Sequence, residues 1–365
     1  MTNKKILEIC LSPDLGGLEL YMATCTNELS KHFEVSCVVA RNSKLKDFIK
    51  DVPKYELKRK SSFSISSSVK LAKIIDAQAI DIVHIHWTKD IPIVVLAKVF
   101  SKRKPKIVQT RHMTMTRFKS DFYHKFLYKN IDTIICVTKA LEEQIKKFIP
   151  KDIRPKTLTL YLGANEAKKF EEKELDNFKA QLKVEDSFMI SLVGRINEFK
   201  GQYLLIEAMK HLKAKDFKIK AYIVGSAMDE NYLQELKEKV KSYKLEDKII
   251  FTGFTKEPAK YMQASDVVLM TSKNETFGLV TIEAMRNATA VIGANSGGVL
   301  EIIDDKKTGL LFESGNAQDL ASKIEKLYKD ESLKNKLAKA GQKKAEELFD
   351  NKKQFENLIK FFKEA

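Results

Sequence analysis

The chain has 365 residues, 44% of them apolar and 31% charged, with a formal net charge of +16. That length exceeds what a single hydrophobic core usually serves and predicts two domains. A membrane-spanning helix is excluded: the longest apolar run, 91–100 (IPIVVLAKVF), is about half the roughly 18–20 residues a bilayer demands and contains a lysine.

The charge is uneven. Residues 1–163 carry 30 basic and 16 acidic residues, a net of +14, whereas 164–365 carry 35 and 33, a net of +2. A basic half of this kind points to a polyanionic partner such as nucleic acid or an anionic membrane face, or simply to a lysine-rich solubilising surface. Residues 1–5 are basic, but a short strand follows, so no signal peptide is expected. Cys10, Cys25, Cys37 and Cys136 are scattered, with neither CxxC nor Cys/His ligand spacing. They read as reduced core thiols of a cytosolic protein, and no metal site is expected.

In chain order, apolar runs at 6–11, 35–40, 81–86, 106–110 and 132–137 alternate with helical patterns that include 18–29, 66–75 and 139–148. Continuous apolar strands between helices imply a parallel sheet covered on both faces. The run 157–162 closes this unit, and 163–165 reads as a crossover. After a charged helical stretch at 168–183 the pattern restarts with strands at 188–193, 219–224, 249–254, 266–271 and 290–294, then a helix-rich tail from 316 to 362. The fold class is therefore α/β, with two Rossmann-like parallel sheets in tandem. Such pairs bind ligands in the cleft between them, at the carboxyl ends of the strands.

Several strand ends carry chemistry. Gly16 and Gly17, in PDLGGLE, open the first helix and let backbone amides approach a ligand; the third glycine of a dinucleotide fingerprint is missing. His84 and His86 end the third strand and are expected to alternate across the sheet, one of them lining a pocket. Gln109-Thr110-Arg111-His112 ends the next strand, where His112 could hydrogen-bond a sugar hydroxyl. No nucleophile elbow accompanies these histidines, which argues against a hydrolytic triad. Gly194 and Arg195, then Lys200 and Gly201, place two cations at a strand-to-helix junction, a combination suited to a diphosphate.

The segment 274–284 (NETFGLVTIEA) adds two carboxylates eight positions apart. With a helix starting near Phe277 or Gly278, the amides of Gly278 and Leu279 become free donors for phosphate. Glu275 could then accept from sugar hydroxyls and Glu283 from ribose. A loop carboxylate plus a solvated helical glutamate is the plain alternative. A hydrolytic acid/base couple is a third, opposed by the phosphate-type helix start. Gly297 and Gly298, in SGGVLE, repeat the glycine-opened helix and are expected to add amides to the same site.

Taken together, these motifs resemble the GT-B glycosyltransferases of the retaining family 4 type. GGLE at 16–19, strand-end His112, Gly194-Arg195 with Lys200-Gly201, Glu275 to Glu283 around Phe277-Gly278, and GGVLE at 297–301 occur in the family's order over nearly the whole chain. The resemblance implies a GT-B fold whose two domains face each other across a cleft: 1–163 on the acceptor side, with a last helix at about 350–365 packing back on it, and 164–349 for the nucleotide sugar. It implies His112, Arg195, Lys200 and Glu275 as the catalytic set. Gly16, Gly17, Gly194, Phe277, Gly278, Leu279 and Glu283 would contact the donor. Glu19, His84, His86 and Arg111 are the acceptor-side candidates.

It further implies metal-independent transfer with retention, no cofactor, and a nucleoside diphosphate sugar as donor, with UDP favoured through contacts near 253–255. The acceptor would be a glycan or lipid-linked intermediate of lipopolysaccharide, O-antigen or capsule, read by loops such as 58–68. The protein would dock on the inner face of the cytoplasmic membrane through the basic run 102–106. The crossover reads Leu162-Gly163-Ala164-Asn165 where the family usually has Asn-Gly-Val-Asp, a departure confined to hinge contacts. A non-hydrolysing sugar-nucleotide epimerase shares the architecture but would turn over without an acceptor. A nucleic-acid binder lacks the expected interleaved aromatics and a recognised module.

Overall fold

A computed structural model of the protein describes residues 4–59, 61 and 63–365. Residues 1–3 of the basic start, and 60 and 62 of the 58–68 loop, lie outside the described residues. The chain forms two compact units, Met1–Tyr161 with Gln354–Ala365, and Leu162–Lys353.

The first unit holds seven strands: β1 (Lys5–Cys10), β2 (Glu34–Ala40), β3 (Lys54–Leu57), β4 (Ile82–Ile85), β5 (Lys106–Arg111), β6 (Thr133–Cys136) and β7 (Lys156–Thr159). All pair in parallel, in the order β3-β2-β1-β4-β5-β6-β7. Helices α1 (Gly17–Leu29), α2 (Ile65–Ala77), α3 (Ile91–Phe100), α4 (Phe122–Lys129) and α5 (Lys139–Phe148) make the connections. The apolar run 91–100 is α3, whose Ile91, Ile93, Val94, Val95 and Ala97 are all buried. Strand β3 escapes sequence reading because it is a short edge strand whose Lys54 and Glu56 face solvent, a charge pattern that also blocks edge pairing.

The second unit contains α6 (Glu172–Leu182), β8 (Phe188–Val193), α7 (Gln202–Lys213), β9 (Ile219–Val224), α8 (Glu230–Ser242), β10 (Ile249–Gly253), α9 (Pro258–Ala264) and β11 (Val267–Met270). It continues with α10 (Leu279–Arg286), β12 (Ala290–Ala294), α11 (Val299–Ile302), β13 (Leu310–Phe312), α12 (Ala317–Lys329) and α13 (Glu331–Leu348). Its six parallel strands run β10-β9-β8-β11-β12-β13. β8 and β11 are neighbours although 73 residues of chain lie between Val193 and Val267. Strand order therefore reverses at that pair, as it does at β1/β4 in the first unit, and the strand ends there open a crevice.

At the crossover, Ala164 exchanges backbone hydrogen bonds with Phe349 and Asn351, at 2.9 and 3.1 Å. The last helix, α14 (Asn351–Glu364), gives Phe355, Leu358, Ile359 and Phe362 to the core of the first unit, against Ile6, Leu29, Ile82 and Val108. Phe362 has no solvent exposure and packs edge-on against Phe33 and His84. Phe362→Ala is expected to cost the first unit about 3–5 kcal/mol, the usual loss for a buried phenylalanine. Denaturant unfolding followed by a probe in that unit measures it.

Candidate active site

The β8/β11 crevice gathers the residues expected to bind a diphosphate. β8 ends at Val193, and the chain turns through Gly194 and the exposed Arg195 into a short 3-10 turn, Glu198–Lys200. The Asn197 side chain caps that turn by accepting from the Lys200 amide at 3.2 Å. Gln202 Nε2 donates to the Arg195 carbonyl at 3.1 Å, and Thr271 Oγ1, just past β11, to the Lys200 carbonyl at 2.7 Å. Both ends of the loop are thus tied down. Lys200 Nζ lies 2.7 Å from Glu275 Oε2, with side-chain exposures of 33% and 19%. The two groups are within reach of solvent, yet they are held as a pair.

Glu275 is fixed through its backbone. Its carbonyl accepts from the Gly298 amide at 2.8 Å. Gly297 stands at φ +57°, and a Cβ there would come within 2.2 Å of the Glu275 carbonyl oxygen. The glycine pair therefore buttresses the 275–277 loop from behind. The Gly298 amide, expected to face a ligand, is thus engaged within the protein.

α10 starts at Leu279 with Gly278 as its N-cap, in the left-handed region at φ +101°. Among the described residues, the Leu279 and Val280 amides find no protein acceptor, whereas Thr281 already donates to the Gly278 carbonyl. Those two free donors sit at the positive end of the helix dipole. The Phe277 side chain is not available to a donor: it is buried against Phe349, ring centroids 5.9 Å apart, so any contact there is through its backbone. Glu283 lies on the next turn, half-buried and with no salt bridge among the described residues. Burial pushes its carboxyl up to about 7.

In the first unit the acceptor-side candidates have partners within the protein. Glu19 is buried and accepts from the Gly16 amide at 2.9 Å, closing the N-terminus of α1. Arg111 is buried and donates to the Thr114 carbonyl at 3.2 Å. His84 and His86 do not alternate across the sheet. Residues two apart share a face, and both rings meet the same buried carboxylate, Glu8, at 2.9 and 2.5 Å. Gly17 leaves open space where a Cβ would stand, the condition for close approach of a ligand to the α1 N-terminus. His112 is half-buried, stacked on His86 and edge-on to Tyr21. Burial, then His86 and His84, hold its pKa well below the ordinary range, so the ring is neutral.

Sequence reading passed over Glu8 and Tyr21; the available signal was a carboxylate in the middle of the apolar run ILEIC. It also passed over a grouping of Cys25, His84 and His86, whose potential ligand atoms lie within 4.8 Å of one another. Both nitrogens of His84 and Nε2 of His86 are already hydrogen-bonded to Glu8 and Thr110, which does not suit them to a metal ion.

Comparison with known proteins agrees with this geometry. The family described as glycosyl transferases group 1 matches residues 172–344, and the family described as glycosyl transferase 4-like matches residues 8–138. The chain is 28% identical to the capsular polysaccharide biosynthesis glycosyltransferase CapM of Staphylococcus aureus, over 72% of this chain and 71% of that one. It is 26% identical to a Campylobacter jejuni N-acetylgalactosaminyltransferase named for a diphospho-undecaprenol-linked acceptor, over 95% and 96%. The crystal structure of Anabaena HepE with UDP and glucose superimposes with a TM-score of 0.86 over the full length of both chains, at 21% identity.

Two all-parallel α/β units of seven and six strands, arranged in this order along the chain, are those of a GT-B fold. The protein is a glycosyltransferase and belongs to the GT-B enzymes of the family 4 type.

Glu283 carries a measurable signature. Its pKa rises from the ordinary 4.5 to about 7 on folding, so the native state holds the proton more tightly than the unfolded chain. The stability cost is absent below about pH 4.5, grows through that window and is complete above about pH 7. Glu283→Gln should therefore raise the melting temperature relative to the parent at pH 8 and leave it unchanged at pH 4.5, as read by calorimetry.

Proposed function

We propose that the protein transfers a sugar from a nucleoside diphosphate sugar to a glycan or lipid-linked acceptor, with retention at the anomeric carbon and without a metal ion or cofactor. The observation that carries this reading is the β8/β11 crevice, where the Lys200–Glu275 pair and the free amides of α10 occur at one sheet end. As the bond from the anomeric carbon to the diphosphate oxygen breaks, its electron pair departs on the diphosphate. Arg195 and Lys200 supply positive charge for that leaving group, and the Leu279 and Val280 amides supply dipoles already oriented before the reaction. Lys200 moving its charge from Glu275 to phosphate would free the Glu275 carboxylate to accept from sugar hydroxyls. Glu283 is assigned to the ribose, and His112 offers a neutral ring to a sugar hydroxyl.

A UDP-sugar is favoured, in keeping with the UDP bound by HepE. Envelope polysaccharide or lipopolysaccharide assembly is the favoured pathway class, from the names of the capsule and undecaprenol-linked relatives. Lys200→Ala and Glu275→Ala are each expected to lower transfer at least about a hundredfold, the scale of losing one group that stabilises transition-state charge, with circular dichroism unchanged. A hundredfold excess of the correct donor over its Kd should add about 2.7 kcal/mol to the parent's stability. Turnover of the donor without any acceptor would instead favour the epimerase.

Attachment to the cytoplasmic face of a membrane is part of the proposal, with a changed location. Among the described residues, no helix is long and apolar enough to cross a membrane. The run at 102–106 is locally engaged: Arg103 pairs with Asp81, Asp76 accepts from the Lys102 and Arg103 amides, and the Lys104 and Lys106 ammonium groups donate to backbone carbonyls. The stretch 117–122 suits an anionic lipid surface better. Phe118 and Phe122 are 61% and 89% exposed, and among the described residues neither Arg117 nor Lys119 makes a salt bridge. Co-sedimentation with phosphatidylglycerol vesicles at low salt should be lost in the Arg117→Glu, Phe122→Ser protein and retained in Lys102→Glu. The reverse pattern would return docking to 102–106.

A further inference from the structure

β1 buries a carboxylate in an apolar strand. Glu8 and its neighbours Leu7 and Ile9 have no solvent exposure. Removing a carboxylate from water costs several kcal/mol unless other groups replace the water, and apolar substitution of such a buried ionic cluster is often neutral or stabilising. Stability alone is thus a poor account of Glu8.

The groups that replace water are imidazoles. Glu8 Oε1 lies 2.9 Å from His84 Nδ1 and Oε2 lies 2.5 Å from His86 Nε2. Burial acts to raise the Glu8 pKa, but His84 and His86 outweigh it and bring it down to about 2. An ionised carboxylate only accepts hydrogen bonds, so both facing nitrogens carry hydrogens. His84 Nε2 meets Thr110 Oγ1 at 2.7 Å, a hydroxyl that can donate or accept. His86 has no second partner: its Nδ1 is buried and unpaired. Burial, then His84, depress its pKa to about 4, so the ring is neutral and Nδ1 is a bare lone pair.

That ring leads to His112. His86 stacks on His112 with centroids 5.9 Å apart and planes 23° apart, and Tyr21 stands edge-on to both. Gln354 of α14 donates to the Tyr21 hydroxyl at 3.0 Å. His112 turns Nε2 inward, buried and unpaired. The titratable groups that act on His112 are His86 and His84, from the end of β4, and Tyr21 of α1 stands edge-on to it; Cys25 and Glu8 act on Tyr21 in turn, and α14 presents the neutral Gln354.

We propose that Glu8 is a positioning residue for His112, acting through His86. It fixes His86 with the proton on Nε2, and the bare Nδ1 lone pair this leaves on the ring stacked against His112 favours the His112 proton on its inward Nε2. The His112 Nδ1 lone pair then points outward as a hydrogen-bond acceptor for a substrate hydroxyl. This rests on the reading of His112 as a substrate-binding residue.

Long-range 15N–1H correlation spectra of the full-length protein test it. Both His86 and His112 are expected to show a protonated Nε2 and an unprotonated Nδ1 between about pH 6 and 8. In Glu8→Gln a carboxamide offers one acceptor and one donor, so one facing imidazole must reverse. The His112 signals should then shift or double, and kcat should fall about ten- to a hundredfold, the usual cost of losing an outer partner of a functional imidazole, with the donor KM little changed. A protonated His86 Nδ1 in the parent, or unchanged His112 signals and kcat in Glu8→Gln, overturns the proposal. Should Glu8→Gln not fold, the parent spectra decide. Full transfer by His112→Ala would remove the underlying reading of His112 and leave the tautomer result standing.

Discussion

The adjacency of β8 and β11 is the constraint on which the second unit's chemistry depends. Parallel strands deliver their carboxyl ends to one edge of the sheet, and where strand order reverses the outgoing connections leave toward opposite faces. The loop after Val193 and the loop after Met270 therefore leave toward opposite faces, and the helix N-terminus that follows Met270 has first amides with no acceptor among the described residues. Free N–H groups at the positive end of a helix favour an anion. The tie from Thr271 to the Lys200 carbonyl and the glycine buttress behind Glu275 hold the two loops in register across that gap.

Within this frame the two carboxylates of the 274–284 segment behave differently because their neighbours differ. Glu275 has a cation at 2.7 Å, and the pair remains partly solvated. Glu283 is more enclosed, has no cation beside it, and is pushed up to about 7 by burial alone. In the proposed function one would exchange between a lysine and a ligand, and the other would meet a hydroxyl without carrying a full charge into the site; eight positions of chain separate them.

What could be read from the sequence follows the range of the interactions. The α10 start, its cap glycine and the spacing of Glu275 from Glu283 are local, and a strand running into a helix is enough to place them. The glycine pair at 297–298 stood out in the sequence, but close backbone approach and ligand cradling select the same residue, and the 2.2 Å approach to the Glu275 carbonyl shows the first at Gly297. The partner that holds His84 and His86 was out of reach of the sequence, because Glu8 lies 76 and 78 residues away, on a strand paired with theirs only in the folded sheet. Phe277 likewise looked like a binding-loop aromatic until its contact with Phe349, 72 positions on, was visible.

Net charge shows the same limit in a different form. The basic excess of the first half is a property of composition, but a surface attracts a polyanion only with the charge left after local pairing. At 102–106 the density of lysine and arginine is highest, yet Asp76, Asp81 and nearby carbonyls absorb much of it. Around 117–119 there are fewer cations but less compensation, and Lys119 is depressed by burial and then by Arg117 and Arg111. Crowded, uncompensated cations raise one another's energy, and an anionic partner relieves that strain. Exposed phenylalanines interleaved with them make a lipid surface a better match than a fully polar polyanion, because the aromatic rings gain from leaving water only where an apolar phase lies beyond the charged one.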